Sequence, residues 1–322
     1  MKKIQILCIV VVMCLFVGAP FVLGAEIKFP ARPVEMVVPF PPGGTADIAA
    51  RIVMHQLSKE LKIALTVVNK PGASGTIGAA GVAKGKPDGH MLLTGNAACL
   101  IIPSFFMKNV VFETERDFLP LAYVGESPSV LAVQSTSPFK TFDELVSFAK
   151  KNPGKLSYAT SGGLSSVSTM NMEVVKNQAG LDIATIVYEG GGPSLAAILG
   201  GHVDIIASSI PALGAQVDAG KLRVLVTTKK LEEMPSIPTL KDKGYPMVVN
   251  WTGFFVSAKV PKEVHTRLVA AFDKALQNPE VIKKLKDAGY VPERKTPQEM
   301  SQFLKEQHNV VARIVKDTKI KK

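Results

Sequence analysis

The sequence has few cysteines, one tryptophan and no long apolar run after its first 25 residues. Its three cysteines are Cys8, Cys14 and Cys99, and the first two lie in the N-terminal segment. A chain that loses this segment keeps one thiol and has no intrachain disulfide, so its stability depends on an apolar core. No later stretch reaches the ~20 apolar residues that span a bilayer.

The N-terminal segment has the layout of a secretory signal peptide. Lys2 and Lys3 precede an apolar stretch from Ile4 to Val17, and small residues follow at Gly24 and Ala25. A retained membrane anchor is the alternative, but a glycine and a proline interrupt the apolar run. We expect cleavage after Gly24 or Ala25 and an exported protein, long enough for two domains of ~150 residues each.

Basic residues exceed acidic ones, with a formal net charge of +11. Export and the lack of a cluster that combines aromatic and basic residues argue against nucleic-acid binding. The excess has two remaining interpretations, a solvated basic face or long-range attraction of an anionic ligand.

Motifs for catalysis and for metal or nucleotide binding are missing. The sequence has no GxSxG, HExxH or GxxxxGK[ST] pattern, and its five histidines show no ligand spacing. Serines in the segment "SGGLSS" (161–166) lack a nearby histidine that would activate them. We expect no enzymatic activity, no cofactor and no metal.

Short β-branched runs alternate with helical patterns, which is typical of an α/β fold. The pattern runs from "VEMVV" (34–38) to about residue 124, restarts, and ends in two helices near 261–287 and 297–317. This last part has no strand series of its own and must pack on earlier elements. We expect a signal peptide at 1–25, a first lobe at 26–124 plus 230–322, and a second lobe at 125–229. Two chain crossings would form a hinge that suits closure around a ligand.

Four strand-to-helix loops share a composition rich in Gly, Ser, Thr and Pro. They are "PFPPGGTAD", "NKPGASGTIG", "TSGGLSSVS" and "YEGGGPS". Ligands of open α/β sheets bind at the carboxyl ends of strands, and helix N-termini there can hold a carboxylate without a buried cation. Asp47 in the first of these loops is either a helix-terminal residue or a binding residue, and Asp204 is likewise structural or ligand-facing. Trp251 is expected in core or hinge packing.

Four segments together resemble the solute-binding receptors of tripartite tricarboxylate transporters, also called Bug receptors. They are "FPARPVEMVVPFPPGGTADIAARIV", "VVNKPGASGTIGAAGVAKGKPDGHMLL", "LSYATSGGLSSVS" and "VYEGGGPSLAAILGGHVDI". The resemblance implies a two-lobed periplasmic binding protein of type II architecture. Such a receptor delivers a carboxylated solute to a two-component membrane permease and catalyses nothing.

The resemblance also implies which residues contact the ligand. Backbone amides of the first lobe would hold a ligand carboxylate, and loops of the second lobe would close over the other end. The implied ligand-binding residues are Pro41, Gly43, Gly44, Thr45 and Asp47 in the first lobe, and Thr160, Ser161, Gly162, Ser165, Ser166, Gly190 and Gly191 in the second.

Some positions depart from the family pattern. Glu189 stands where members often have a basic residue, and Val187 where a proline is frequent. If Glu189 faces the cleft, it disfavours a tricarboxylate and favours a ligand with an amine or a neutral end; if it faces solvent, it says nothing about the ligand.

The partners expected are therefore a small organic carboxylate, preferably a mono- or dicarboxylate, and a permease of the tripartite tricarboxylate type, with the receptor as a monomer. Two alternatives stay open at this point. One is an exported hydrolase that uses a serine of 161–166, and the other is a ligand sensor that acts through a partner protein.

Overall fold

The computed structural model describes residues 29–318. The predicted signal peptide lies outside this range. Within it, no helix combines the length and apolar character needed to cross a membrane.

The strands form two separate sheets. The first has six strands in the order β11-β4-β10-β3-β1-β2, and the second has five in the order β7-β6-β8-β5-β9. The strands are β1 Val34–Val38, β2 Leu65–Asn69, β3 Met91–Gly95, β4 Phe118–Glu126, β5 Ser129–Gln134, β6 Leu156–Ser161, β7 Ile183–Tyr188, β8 Ile205–Ser209, β9 Leu222–Thr227, β10 Trp251–Ser257 and β11 Val291–Pro292.

Twelve α-helices connect or flank these strands in the described range. They are α1 Thr45–Leu61, α2 Thr76–Lys84, α3 Ala97–Leu100, α4 Pro103–Phe106, α5 Thr114–Asp117, α6 Phe142–Lys151, α7 Val167–Ala179, α8 Gly191–Leu199, α9 Ile210–Asp218, α10 Lys262–Gln277, α11 Pro279–Asp287 and α12 Pro297–Thr318. Two short 3₁₀ turns, Ala73–Gly75 and Gly163–Ser165, precede α2 and α7.

In each sheet, a parallel set of strands follows from β-α-β connections. β1 pairs in parallel with β2 and β3, and β6 pairs in parallel with β7 and β8. The antiparallel strands β10 and β5 extend these sets. β1 is apolar at four of its five positions and almost fully buried, as expected for a strand covered on both faces.

Helix α1 shows why the sequence folds this way locally. Its apolar residues recur at helical spacing, so Ala46, Ala49, Val53 and Leu57 form one face that is buried against the first sheet. The helix ends where Lys62 adopts a left-handed conformation with φ 55°. Truncation of the fully buried Leu57 to alanine would cost about 2–5 kcal/mol.

The chain passes from one sheet to the other twice, and the two crossings touch. Ser127 N–H in the first crossing donates to the carbonyl of Asn250 in the second at 2.8 Å. Lys229 Nζ lies 2.8 Å from Glu126 Oε1. These contacts join the two interlobe crossings, which are the segments expected to form the hinge.

The segment between β9 and β10 packs against the second sheet. Leu231 and Leu240 are buried in apolar clusters of that sheet, although the sequence-based boundary assigned residues after 229 to the first lobe. The lobe boundaries stay a prediction, and this packing favours a second boundary after Met247.

The predicted single helix over 261–287 is wrong, because the structure divides it into α10 and α11. Asn278 has φ −64° and ψ 122°, outside the helical region, and its side chain accepts hydrogen bonds from the N–H groups of Glu280 and Val281. Pro279 has no N–H to continue α10, yet its fixed φ suits the first turn of a new helix.

The C-terminal stretch does pack on earlier elements, as expected. It inserts β10 between β3 and β4. Trp251 at the start of β10 is fully buried and contacts the rings of Tyr123, Phe255 and Phe303. It therefore packs in the core beside the second crossing.

Candidate ligand-binding cleft

The four loops singled out in the sequence follow β1, β2, β6 and β7. Because β1 and β2 run parallel in one sheet and β6 and β7 in the other, each pair of loops lies at one edge of its sheet. β8 is parallel to β6 and ends at the same edge, where Ser209 precedes α9. These loops and helix starts form the candidate cleft.

Asp47 holds the loop after β1 in place. Its Oδ2 accepts hydrogen bonds from Gly43 N–H at 3.0 Å and Arg51 Nε at 2.9 Å, and its Oδ1 accepts one from Asn69 Nδ2 at 2.9 Å. Asn69 Nδ2 also donates to the carbonyl of Phe40 at 2.9 Å. Only 3% of Asp47 is exposed. The structure thus shows Asp47 as a scaffold for the loop, and its direct contact with ligand stays a prediction.

This network also keeps Asp47 ionised. Burial by itself would raise the pKa of the carboxyl group. The hydrogen bonds from Arg51, Gly43 and Asn69, together with the charge of Arg51, outweigh that effect and lower the pKa below its ordinary value. The Arg51 charge is consequently engaged by Asp47, and Lys70 is paired with Glu35 at 2.5 Å.

Five helices that begin at the cleft edges have no side-chain cap in the described part of the chain. Their N-cap residues are Gly44, Gly75, Ser166, Gly190 and Ser209. The first N–H groups of such helices have no intrahelical partner and carry partial positive charge. An anion in the cleft can therefore accept hydrogen bonds from them. The first two positions of α9 are an exception, because the Ile210 N–H donates to the Pro128 carbonyl at 2.9 Å and Pro211 has no N–H.

Other helices of this chain do have side-chain caps. Thr141 caps α6 in a capping box with Glu144, and Asn278 caps α11. Asn96 caps the short helix α3, which begins at the cleft edge because it follows β3, a strand parallel to β1. Helices α4, α5 and α10 have no side-chain cap either. Of these, α10 follows the antiparallel strand β10 and begins at the opposite edge. The uncapped starts of α1, α2, α7, α8 and α9 thus lie at the cleft edges, although uncapped starts also occur elsewhere.

Two of these helix starts meet across the cleft. The hydroxyl oxygens of Thr45, the first residue of α1, and Ser209, the N-cap of α9, lie 2.9 Å apart. Tyr290 Oη donates to the Thr45 carbonyl at 2.6 Å, and Ser209 is 5% exposed. The positive ends of two helices from different lobes are therefore held close together. Neither has a side-chain cap at its N-cap residue, although the acidic Asp47 stands in the first turn of α1.

Hydroxyl groups also support the start of α7. Ser168 Oγ donates to the Ser208 carbonyl at 3.0 Å and lies 3.2 Å from Ser129 Oγ. The hydroxyl of Thr160 is buried against that of Thr169. Thr160 therefore braces α7 from within the second lobe.

The remaining predicted residues line the loops with different exposure. Pro41, Gly43, Gly162 and Gly191 are exposed, Gly44, Ser161, Ser166 and Gly190 are half-buried, and Ser165 is buried. Gly190 has φ 103° and no atom within 4 Å of the place where a Cβ would stand. Glu189 is exposed, and whether it faces a ligand stays a prediction.

Sequence reasoning missed Ser209, Asn69 and Tyr290. Ser209 ends a strand without a glycine-rich loop, so no motif marked it. Tyr290 lies 245 positions from its partner Thr45. Asp204, left open in the sequence, is structural: its Oδ2 accepts from Ser157 N–H at 2.8 Å and Ser157 Oγ at 3.1 Å, at the end of β8 away from the cleft.

A cavity of about 680 Å³ lies elsewhere, between α10, β4 and the start of α12. Its two basic residues already have acidic partners, since Arg294 pairs with Asp273 and Lys295 with Glu293. It therefore offers an anion less free positive charge than the uncapped helix starts do.

Comparison with known proteins decides the family. A family model described as "Tripartite tricarboxylate transporter family receptor" matches residues 49–320. The chain belongs to this family. The receptors in it are periplasmic solute-binding proteins and not enzymes. The predicted family, two-lobed α/β fold and absence of enzymatic function are confirmed, and the hydrolase alternative is wrong.

Alignments with individual relatives cover most of this chain. Protein BugT of Bordetella pertussis (strain Tohama I) is 30% identical over 297 residues, which cover 90% of this chain and 90% of BugT. The structure of MatC from Rhodopseudomonas palustris with bound malate is 28% identical, covers 89% of this chain and 100% of that chain, and has a TM-score of 0.81. An R. palustris structure with adipate is 26% identical, covers 91% and 99%, and has a TM-score of 0.84.

Proposed function

We propose that this receptor captures a small mono- or dicarboxylate in the cleft and delivers it to a two-component membrane permease of the tripartite tricarboxylate type. The observation that carries the proposal is the meeting of α1 and α9 across the cleft, where Thr45 and Ser209 hydroxyls lie 2.9 Å apart. Both helices begin there without a side-chain cap.

The physical argument rests on charge. Each uncapped helix start contributes about 0.3–1 kcal/mol to binding an anion at an exposed site and up to ~2 kcal/mol at a partly buried one. Converging helix starts add their dipole effects, and the first N–H groups of α1 supply directed hydrogen bonds. At α9 the Ile210 N–H is already donated to Pro128 and Pro211 has no N–H, so α9 contributes through its dipole and the Ser209 hydroxyl. A carboxylate satisfies these donors without a buried cation, which agrees with the engagement of Arg51 and Lys70 by acidic partners.

The structures with malate and adipate support this class of ligand. Both are dicarboxylates, and both proteins share the fold and more than a quarter of their residues with this receptor. The ligand-binding residues predicted from the sequence are proposed for the same role here, with Ser209 added on the grounds of its position. Asp47 would act by holding the loop.

Calorimetric titration with matched ligands tests the proposal. Malate and adipate are titrated into the receptor beside malamide and adipamide, which keep the carbon skeleton and lose both charges. We expect at least one acid to bind and its diamide to bind at least about tenfold more weakly, a difference of ~1.4 kcal/mol. Equal binding of acid and diamide would contradict recognition by charge.

We also propose export to the periplasm with removal of residues 1–25, and a monomeric receptor. The charged start, apolar stretch and small residues at Gly24 and Ala25 support export. Mass spectrometry of the protein from the periplasmic fraction should show an N-terminus at Ala25 or Glu26. A mass that retains Lys2 and Lys3 would contradict cleavage.

The permease partner can be tested by transport. Uptake of the ligand that the titration identifies should require both the receptor and the two-component permease in reconstituted vesicles. Uptake that proceeds equally without the receptor would contradict the delivery role and favour the ligand-sensor alternative.

A further inference from the structure

Gly289 lies where the two lobes touch beside the hinge. It follows α11 with φ 80° and leads into β11, which pairs with Gly125 and Glu126 at the end of β4. β4 is the strand from which the chain first crosses to the second sheet. Gly289 therefore belongs to the first lobe but stands next to the crossing.

The start of α9 packs directly on Gly289 from the second lobe. A Cβ added at Gly289 would come within 2.5 Å of Ile210 Cγ2, 3.2 Å of Pro211 N and 3.3 Å of the Ile210 carbonyl carbon. Ile210 is in turn attached to the first crossing, since its N–H donates to the Pro128 carbonyl at 2.9 Å. A side chain at position 289 would therefore collide with the start of α9.

The same contact lies directly beside the cleft. Ser209, which precedes Ile210, meets Thr45 at 2.9 Å. Tyr290, which follows Gly289, donates its hydroxyl to the Thr45 carbonyl at 2.6 Å. A displacement of α9 away from Gly289 would therefore separate Ser209 from Thr45.

We infer that Gly289 is a positioning residue for ligand capture: by leaving room for Ile210, it lets the start of α9 seat against the first lobe and sets how far the cleft closes. The inference rests on the proposed capture of a ligand in this cleft. Gly289 itself need not touch the ligand, and a larger residue there holds the lobes apart.

The test variant is Gly289→Asn, because asparagine tolerates a positive φ better than most residues and still adds the Cβ. Its matched control is Gly180→Asn. Gly180 also stands at a helix C-terminus with φ 65°, and no atom lies within 4 Å of its added Cβ. Ile210→Ala, alone and combined with Gly289→Asn, removes the side-chain atom nearest to the added Cβ.

Two quantities are measured for each variant. One is the dissociation constant for malate or adipate. The other is the distance between spin labels at Ile77→Cys and Val187→Cys in the ligand-free protein. Ile77 and Val187 are exposed, and they lie near β2 and in β7, strands at outer positions of their sheets.

We expect Gly289→Asn to weaken ligand binding about fivefold or more and to lengthen the label distance. Gly180→Asn should change affinity less than about twofold, and adding Ile210→Ala to Gly289→Asn should restore both readouts toward those of Ile210→Ala alone. If Gly289→Asn does not fold, the double variant is compared with Ile210→Ala. The double variant should then show a slightly longer label distance than Ile210→Ala, because the added Cβ at position 289 still lies close to Pro211 N.

The inference is overturned if Gly289→Asn behaves like Gly180→Asn, or if Ile210→Ala restores neither readout. Failure of the parent receptor to bind any carboxylate would refute the proposed function instead. The label distances would then decide the inference alone, since they require no ligand.

Discussion

Replacement of Gly44 by aspartate separates the folding role of this position from its role in binding. Gly44 is the N-cap of α1, with φ −78° and ψ 166°, a conformation open to any residue. An added Cβ would have only the Pro41 carbonyl oxygen nearby, at 3.6 Å. The change therefore introduces a carboxylate at the proposed anion site without a steric conflict.

The magnitude follows from the geometry of a helix start. A carboxylate at the N-cap lies about 4 Å from a ligand carboxylate bound to the same N–H groups, and two such charges repel by ~4 kcal/mol at an effective dielectric constant of 20. This corresponds to a loss of affinity of roughly a thousandfold. Aspartate is a better N-cap than most residues and at least as good as glycine, but its charge also repels the ionised Asp47 in the same turn. These two effects oppose each other, so thermal stability without ligand should change little.

Titration calorimetry and thermal unfolding measure the two effects separately. Gly44→Asn is the matched control, because it has the shape of aspartate and no charge. The asparagine side chain also competes for the N–H groups. We therefore expect the affinity of Gly44→Asn for malate or adipate to lie between those of the parent and Gly44→Asp. Gly44→Ala adds no cap and should retain most of the affinity. A folded Gly44→Asp variant that binds malate or adipate as tightly as the parent would refute placement of the carboxylate at α1.

Three further predictions concern stability and reactivity. Asn171→Ala should lower the free energy of unfolding in urea by about 2–4 kcal/mol, because the buried Asn171 side chain bonds to both N–H and C=O of Val248 at 2.8 and 3.0 Å; a loss under about 0.5 kcal/mol would contradict this. Burial raises the pKa of Asp88, but hydrogen bonds from His90 and Arg32 outweigh it and lower that pKa from 3.8 to about 2. The stability that Asp88 contributes is present above pH 3.8 and lost as the pH falls through about 2. Asp88→Asn should therefore flatten the acid side of the curve of unfolding free energy against pH. An unchanged acid side would contradict this prediction. Burial raises the pKa of the Cys99 thiol to about 12, so a thiol reagent should label it only on unfolding; rapid labelling of the native receptor at pH 8 would oppose this.

The local elements around the cleft could be predicted because neighbouring residues determine them. The β-branched run at 34–38 followed by prolines, glycines and the apolar face of α1 specifies a strand, a loop and a helix within about 30 residues. The same reasoning applies to β6 and α7. Parallel pairing then places these loops at one edge of each sheet, as the structure shows.

Features that depend on distant contacts could not be predicted in the same way. The meeting of Thr45 with Ser209 joins residues 164 positions apart, and no local pattern distinguishes Ser209 from other serines. An aspartate in the first turn of a helix, such as Asp47, is common in any sequence and does not by itself indicate a further role. Only the approach of Asn69 and Gly43 shows that its oxygens bind the loop.

Apolar periodicity also failed to predict element boundaries where one element ends and the next begins within a few residues. The break between α10 and α11 depends on Asn278 and Pro279, yet the apolar periodicity continues across it and suggested one helix. Three helices of four residues each, α3 to α5, interrupt the stretch 97–117. Such short turns have no periodicity long enough to detect.

A crystal structure of the receptor with malate or adipate tests the central claim most directly. We expect one carboxylate group between the starts of α1 and α9, with its oxygens within hydrogen-bond distance of the Thr45 or Ala46 N–H and near Ser209. A carboxylate bound instead to basic side chains, such as Arg294 and Lys295 at the cavity beside α10, would contradict recognition by uncapped helix starts.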